Sequence, residues 1–276
     1  MSKIFSELVL FFFIYAEIGW LWETIFCSIK AKKFMYRGFL MGPYCPIYGF
    51  GVLMVLYFID PFQNNVFLLF ILSTIVVTVL EYLTSYVLEK LFHTTWWDYH
   101  KVPFNIQGRV ALPVSLFWGF CCVIVVKFVQ PLVNEYVGHL NSTFGVSLSI
   151  IIVFIMLLDT VVSVRKIFSF QKAIEKLDAK LEEQAKELKI SINSRIKDFS
   201  KSLENKNKKV TEKFKNKKNK REEKIIQRKE DIELRKSIYK LKFNERKMLN
   251  SFPKMKMKKI KTFDELRNIM LKADKR

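Results

Sequence analysis

Five long apolar runs in the first 164 residues limit what this chain can fold into. An α-helix needs roughly 20 mostly apolar residues to cross the hydrocarbon core of a bilayer. The runs lie at 4–29, 43–60, 66–89, 110–133 and 144–164. Backbone groups in lipid must be hydrogen-bonded within the chain, so each run predicts a helix. The first run continues past Glu17 without a small-residue cleavage site, which favours a membrane span over a signal peptide. We therefore predict an all-α, polytopic membrane helix bundle of five spans.

Charged residues are divided unevenly between two parts of the chain. Residues 1–164 hold nine Lys/Arg and nine Asp/Glu, whereas residues 165–276 hold 37 Lys/Arg and 17 Asp/Glu. The whole excess of +20 therefore lies in the second part. This division predicts two domains, a transmembrane bundle at 1–164 and a long basic, helical tail at 165–276.

The loops between the runs predict the orientation of the bundle, because cytoplasmic loops carry an excess of Lys and Arg. Loops 30–42 and 90–109 contain seven basic residues, whereas loops 61–65 and 134–143 contain none. Arg165 and Lys166 follow the last run. All basic loops fall on the cytoplasmic side if the N-terminus is outside and the tail is cytoplasmic, which is the arrangement that five spans require.

Acidic residues inside the predicted spans require an explanation, since each costs about 2.5–3.5 kcal/mol on insertion scales. Two of the runs carry a polar stripe along one face of the predicted helix. The stripe of the third run consists of Thr74, Thr78, Glu81, Ser85 and Glu89. That of the first run consists of Tyr15, Gly19, Glu23 and Cys27. Such stripes should face protein rather than lipid. Asp159 in the fifth run has Ser163 and Lys166 on its own face, so we interpret it as a local pair or a snorkelling side chain.

The stripe acids leave two interpretations open. Glu23, Glu81 and Glu89 either lock the helices together through ion pairs with Arg37 and Arg109, or line a polar pocket that contacts a substrate, an ion or a headgroup. Glu81 lies about midway along its span, so it needs a partner or a proton.

The stretch RGFLMGPYCPIYGFG, residues 37–51, leads into the second run through several glycines and prolines. Irregular chain at membrane depth survives only where protein or a wet cavity covers it. We interpret this stretch as a broken or re-entrant helix start whose amides could face an anion. A tight turn followed by an ordinary helix is the alternative.

The stretch WWDYHKVPFNIQGR, residues 96–109, occupies the corresponding place before the fourth run. An aromatic belt at the headgroups explains three of its aromatic side chains, Trp96, Trp97 and Tyr99. Pro103 and Gly108 indicate a folded turn, which Asp98 and Asn105 would shape. We predict that this loop folds back over the cytoplasmic mouth of the bundle, where Arg109 approaches Glu89 or Glu81.

No pattern predicts catalysis, a metal site or a cofactor. His93, Asp98, His100 and Glu89 are permissible metal ligands by type, but their spacing matches no metal motif. The four cysteines lack CxxC spacing and are interpreted as small apolar side chains. The sequence contains no HExxH motif or recognisable Ser/His/Asp arrangement. We therefore expect that the protein is not an enzyme.

Several of these segments together resemble the CmpB-like family of ABC-transporter type IV permeases from Gram-positive bacteria. The similar segments are GWLWE at 19–23, RGFLMGPYCPIYG at 37–49, EYLTSYVLE at 81–89, WWDY at 96–99 and FNIQGRV at 104–110. The resemblance covers roughly residues 1–164 and excludes the basic tail. It implies a transport permease in a bacterial plasma membrane. Because the chain has no GxxxxGK[ST] phosphate loop, the resemblance also implies that an ATPase would be a separate subunit.

The tail starts with a heptad seam of apolar residues, formed by Ile167, Phe170, Ile174, Leu177, Leu181 and Leu188. A nearly all-polar stretch follows at 206–224, and an amphipathic piece with a capping box lies at 262–272. The tail could lie along the inner leaflet and bind anionic lipids. A coiled coil that forms a homo-oligomer or recruits a partner is the alternative. Nucleic acid is not an expected partner.

Three functions are compatible with these features. The first is a permease-like transport component in which Glu23, Glu81 and Glu89 line or gate a polar site, with Arg37 and Arg109 as counter-charges. The second is a membrane scaffold whose tail recruits a partner. The third, an intramembrane lipid-modifying enzyme, has paired acids but no catalytic signature.

Overall fold

The computed structural model describes residues 2–203, 252, 255–257 and 263. The described residues up to Phe168, together with 252 and 255–257, form one compact unit. Those from Ser169 to Leu203, together with Phe263, belong to a second unit. The first unit thus contains the predicted bundle and, in addition, a short piece of the tail.

Five α-helices account for most of the described chain, and the last of them continues from the first unit into the second. They are α1 (Ser2–Ala31), α2 (Pro46–Ile59), α3 (Val66–Phe92), α4 (Leu112–Ile124) and α5 (Gln130–Leu203). A 3-10 turn, Asp60–Phe62, follows α2, and a π-helical stretch, Val125–Val129, joins α4 to α5. Asn65 caps α3, because its side-chain oxygen accepts the backbone N–H of Leu68 at 3.1 Å.

Three segments are long and apolar enough to cross a membrane: Ser2–Ala31, Val66–Phe92 and Leu112–Lys180. The apolar helix Pro46–Ile59 is shorter, with 14 residues. Many large apolar side chains on these helices are exposed to the surroundings, which suits a lipid-facing surface. The chain is therefore a helical membrane protein. The fourth and fifth predicted runs both lie in the segment that starts at Leu112.

Gly145 interrupts that segment with a non-helical backbone, φ 55° and ψ −144°, that favours glycine. Ser6, near the start of α1, donates to the Gly145 carbonyl at 3.2 Å and shares a hydrogen bond with the Ser149 hydroxyl at 2.9 Å. Farther along α1, Tyr15 donates to Gln130, which lies before the break. The cluster around Ala16 contacts Met156, which lies after it. Both arms therefore run along α1, and the chain reverses direction at Gly145.

The helices of the bundle pack in a defined order. Helix α2 packs against both α1 and α3, and α3 packs chiefly against α4. The arm after α4 returns to α1, where Val133 and Val137 join a core cluster with Leu10 and Tyr15. Glycine permits one close crossing, since a Cβ on Gly119 of α4 would lie 1.9 Å from the Thr74 hydroxyl of α3.

Two short antiparallel β-pairs supplement the helices. In one, β2 (Asn105–Ile106) pairs with β3 (Val110–Ala111), and in the other, β1 (Thr94–Thr95) pairs with β4 (Lys256–Met257). The prediction of an all-α chain therefore misses short strands in the loop that precedes α4. Each of these strands has only two residues, which is too few for hydrophobic periodicity to detect.

The predicted tail is helical as far as Leu203. Ile167, Phe170 and Ile174, the first three residues of the predicted seam, are buried. The seam side chains at Leu177, Leu181 and Leu188 lie outside the described side chains. The polar stretch 206–224 and the amphipathic piece 262–272 also lie outside the described residues, except for Phe263.

Candidate functional site

The polar stripe of α3 faces protein. Glu81 and Ser85 are buried, with 9% and 8% of their surfaces exposed. Thr74, one end of the stripe, contacts Gly119 of α4. The sequence expectation that this stripe turns away from lipid agrees with these positions.

Near the C-terminal end of α3, the stripe forms an ion pair with the loop before α4. The Arg109 guanidinium lies 2.7 Å from the Glu89 carboxylate, and both side chains are largely buried. Arg109 also donates to the Ser85 hydroxyl at 3.4 Å. Its guanidinium lies 5.8 Å from the ring centre of Tyr82 and 5.5 Å from that of Tyr86. Of the two acids expected for Arg109, the structure pairs it with Glu89.

A second ion pair joins α1 to the loop before α2. The Arg37 guanidinium donates to Glu23 at 2.8 Å. The indole N–H of Trp20 donates to the Arg37 carbonyl at 2.9 Å, which fixes the backbone that carries this arginine. The thiol of Cys45 approaches the other oxygen of Glu23 at 3.8 Å. Glu23 therefore holds the start of α2 close to α1.

Glu81 differs from the other two acids because its partner is a tyrosine. The Tyr99 hydroxyl is hydrogen-bonded to the Glu81 carboxylate. The other carboxylate oxygen, Oε2, is buried and has no hydrogen-bond partner among the residues that the structure describes. Because Arg37 and Arg109 pair with Glu23 and Glu89, neither predicted counter-charge serves Glu81. A buried carboxylate without a counter-charge is costly in a protein interior.

Tyr99 connects the loop before α4 with both acidic helices. Burial raises the pKa of the Tyr99 hydroxyl above its ordinary value, and the charges of Glu81 and Glu23 raise it further. The hydroxyl therefore keeps its proton and can donate to Glu81. Tyr48, in the first turn of α2, lies within electrostatic reach of both Glu23 and Tyr99. The two tyrosines bring Glu23, Arg37 and Glu81 into one polar cluster.

Two arginine nitrogens in this region also lack partners. The Nε atoms of Arg37 and Arg109 are buried without a hydrogen-bond acceptor in the described part of the chain. Each guanidinium nevertheless pairs with a glutamate through a terminal nitrogen. The region therefore has an acceptor, Glu81 Oε2, and two donors, the arginine Nε atoms, that make no hydrogen bond within the described chain. Residues that served only to hold the helices together would not need such unused groups.

The loop between α3 and α4 is held by its own hydrogen bonds. The Asn105 side chain donates to the Val102 carbonyl at 2.8 Å and accepts the Gly108 N–H at 3.0 Å. Gly108 has a φ of +67°, which an L side chain rarely adopts. The indole N–H of Trp97 donates to the Arg109 carbonyl at 2.8 Å. Asn105 and Trp97 therefore position the backbone of the loop, and with it Arg109.

Trp96 and Tyr99, which were expected to lie in an aromatic belt at the headgroups, both contact other parts of the protein. Trp96 is 5% exposed and packs its ring against Phe39 and Phe92, with centroids 5.3 and 6.1 Å away. The Tyr99 hydroxyl is hydrogen-bonded to Glu81. The belt at the headgroups stays a prediction, and these protein contacts are a second reason for aromatic side chains at the two positions. Composition could not predict the contacts, because aromatic residues next to apolar runs are compatible with either environment.

Asp98 contacts its own loop and the tail. It accepts the His100 backbone N–H at 2.9 Å, and its second oxygen lies 2.6 Å from the Lys256 ammonium. Burial alone would raise the pKa of Asp98, but the hydrogen bonds from Lys256 and His100 hold this pKa well below its usual range. Asp98 is therefore a charged contact for the tail rather than a ligand of the polar site.

Asp159 was interpreted from the sequence as a local pair or a snorkelling residue, and the structure gives it a larger role. Its carboxylate accepts the backbone N–H groups of Met41 and Gly42 at 3.0 and 2.8 Å and the Tyr44 hydroxyl at 2.6 Å. Ser163 supplies the local contact at 3.0 Å. The amides before α2 thus face an anion, as the sequence analysis expected, and this anion is a side chain of the same protein.

No group of three or more His, Cys, Asp and Glu side chains suited to a metal ion occurs among the described residues. Cys27, Cys45, Cys121 and Cys122 are free thiols. Neither a metal nor a redox role is assigned to this region.

Comparison with known proteins identifies a family. Neither the curated proteins nor the solved structures contain a match to this chain. A family model described as "Putative ABC-transporter type IV" matches residues 10–164, which cover α1 to α4 and the Gly145 turn. The matched region includes both loops, both ion pairs and Glu81. More than half of the chain is covered, and the chain therefore belongs to this ABC-transporter type IV family.

Proposed function

We propose that the chain is the membrane subunit of a transport system, with five spans, the N-terminus outside and the tail in the cytoplasm. The reversal at Gly145 supports five spans because it divides the last apolar segment into two antiparallel arms. Loop 61–65 and the Gly145 turn contain no Lys or Arg. Basic residues lie instead at or just after the C-terminal ends of α1 and α3, and at the end of the apolar arm that follows Gly145. This distribution supports a cytoplasmic location for the loops that hold Arg37 and Arg109.

We further propose that Glu81 is the central residue of a polar transport site. The carrying observation is that the buried Glu81 carboxylate has a tyrosine partner on one oxygen and no partner on the other within the described chain. In ion pairs such as Arg109–Glu89, each charge is balanced by its partner. The charge of Glu81 is not balanced in this way by the residues that the structure describes, and a transported cationic group or a proton would supply the missing positive charge.

The remaining site residues have supporting roles in this proposal. Glu23 and Glu89 hold Arg37 and Arg109 at the cytoplasmic edge. Trp97 and Asn105 keep the loop folded so that Tyr99 reaches Glu81. We assign no catalytic step to the chain, and energy would come from a separate ATPase subunit because the chain has no phosphate loop.

Affinity purification of the full chain from its native membrane in mild detergent tests this function. We expect that a chain with a GxxxxGK[ST] phosphate loop co-purifies. A preparation of the intact chain that contains no such ATPase would contradict the transport proposal.

A membrane scaffold is the second candidate, and the extension of α5 to Leu203 favours it. In that case the tail, not the bundle, would hold the partner. Purification of a variant that lacks residues 170–276 separates the two candidates. Retention of the ATPase by this variant supports the permease, and its loss supports the scaffold.

A further inference from the structure

A short piece of the tail contacts the loop that precedes α4, although about 160 residues separate them in sequence. We call Phe252, Met255, Lys256 and Met257 the docking segment. Its strand β4 pairs antiparallel with β1, with Thr94 opposite Met257 and Thr95 opposite Lys256. The Thr95 hydroxyl also approaches the Lys256 carbonyl at 3.4 Å. The docking segment thus adds a strand to an exposed edge of the loop.

Side chains make this contact more specific than the backbone pairing alone. Phe252 packs edge-on against Trp96, with ring centroids 4.7 Å apart. The Arg37 guanidinium lies 5.2 Å from the centre of the same Phe252 ring. Phe252 therefore touches both of the loops that the sequence analysis singled out. Met255 and Met257 are buried as well.

An ion pair fixes the register of the docking segment. The Lys256 ammonium lies 2.6 Å from Asp98, whose other oxygen is already held by His100. A shift by one residue would move Lys256 to the opposite face of the strand and away from Asp98. The surface thus binds a segment that has a lysine four positions after an aromatic residue, with the Met255 N–H donating to the Phe252 carbonyl at 2.9 Å.

We propose that Arg37, Thr94, Thr95, Trp96 and Asp98 form a peptide-binding surface that the docking segment of the same chain occupies. Occupation covers one face of Arg37, whose other contacts hold Glu23. Docking of the segment would therefore cover the Arg37 side of the polar cluster, and its release would expose that side. This inference rests on the tail contacts alone, so its test does not depend on the transport proposal.

Disulfide formation in the full chain tests the contact directly. Thr94→Cys and Met257→Cys are combined, the protein is oxidised in nanodiscs, and linked peptides are identified by mass spectrometry. We expect a linkage between positions 94 and 257. The matched control combines Ile106→Cys with Met257→Cys, because Ile106 belongs to the other hairpin and pairs with Val110. This control should give no linkage.

Two further changes test the register and its origin. Lys256→Glu in the 94/257 cysteine variant should lower the yield of linkage about fivefold, since an attractive pair becomes a repulsive one. Adding Asp98→Lys should restore the yield. Phe252→Ala should also lower it, whereas Phe67→Ala, on an exposed face of α3, should not.

Two outcomes would overturn the proposal. One is a 94/257 yield no higher than that of the 106/257 control. The other, seen with mixed isotope-labelled and unlabelled protein, is a linkage that joins only different copies of the chain. An undiminished yield after both Lys256→Glu and Phe252→Ala would show that the side chains do not select this segment.

Discussion

Glu81 and Glu89 occupy one face of α3, yet they are balanced in different ways. Glu89 pairs with Arg109, whereas Glu81 has only the Tyr99 hydroxyl among the residues that the structure describes. At the residue scale, the charge of Glu89 is therefore balanced by an arginine, and that of Glu81 is not balanced within the described chain. The two kinds of acid should respond differently to substitution.

Arg109→Ala should destabilise the bundle by about 3–5 kcal/mol, because it breaks the Arg109–Glu89 ion pair, whose two side chains are largely buried. Thermal unfolding in detergent measures the loss. Lys3→Ala, which breaks an exposed pair with Glu7, is the matched control and should cost less than about 1 kcal/mol. Adding Glu89→Gln to Arg109→Ala should recover part of the loss. A double variant that is no more stable than Arg109→Ala would contradict a charge-based cause.

The residue pairs show how far the sequence predicts the site. Helical spacing placed Glu81, Ser85 and Glu89 on one face, and the burial of Glu81 and Ser85 agrees with that arrangement. Spacing could not choose between Glu81 and Glu89 as the partner of Arg109, since the two acids lie on the same face about two helical turns apart and the fold of the loop decides which one Arg109 reaches. Tyr99 and Asp159 were not recognised as site-forming residues, because their partners lie on distant segments and no periodicity links them.

At the element scale, close helix contacts depend on particular glycines. Glycine lets two helices approach closely and pack well, but a larger side chain at the same position no longer fits. Gly119 lies against Thr74 and the Phe70 carbonyl of α3. A Cβ at Gly138, in contrast, would have no neighbouring atom within 4 Å. These two glycines form a natural pair for comparison.

Gly119→Ala should lower the stability of the bundle by about 1–3 kcal/mol, because the added methyl group forces α3 and α4 apart or displaces Thr74. Gly138→Ala should be neutral or slightly stabilising, since alanine favours a helix by up to about 1 kcal/mol over glycine. Unfolding midpoints of the two variants in the same detergent provide the comparison. Equal effects at both positions would mean that the α3–α4 crossing is not close.

The elements themselves were only partly predictable. Apolar length located α1, α2 and α3 to within a few residues at most of their ends. The π-helical stretch at Val125–Val129 and the reversal at Gly145 lie in or beside apolar sequence and have no signal in hydropathy. The strand pair that involves β4 was not predictable, because a two-residue strand in a lysine-rich tail has no sequence pattern of its own.

At the scale of the whole molecule, the proposed orientation determines which loops meet the cytoplasm. Cysteine labelling in intact cells measures this orientation. Asn64→Cys, in the exposed loop after α2, should react with a membrane-impermeant maleimide. Lys101→Cys, in the exposed loop before α4, should react only after the cells are permeabilised. The reverse pattern would place Arg37 and Arg109 outside the cell and contradict the proposed topology.

The bundle and the tail differ in both family membership and charge. The family match ends at residue 164, where the net charge of the chain changes from zero to strongly positive. The docking segment nevertheless belongs to the same compact unit as the bundle. Composition predicted the boundary between the two parts but not the return of the tail, which depends on individual contacts of Phe252 and Lys256.

The central claim is that Glu81 serves transport rather than stability. The most direct test reconstitutes the full chain with its co-purifying ATPase in nanodiscs and measures ATP hydrolysis. Glu81→Gln should lower the rate at least about tenfold, which corresponds to about 1.4 kcal/mol, while the complex assembles normally. Glu17→Gln, an acid of α1 outside the polar stripe, should leave the rate unchanged. An assembled Glu81→Gln complex that hydrolyses ATP at the unaltered rate would contradict the account.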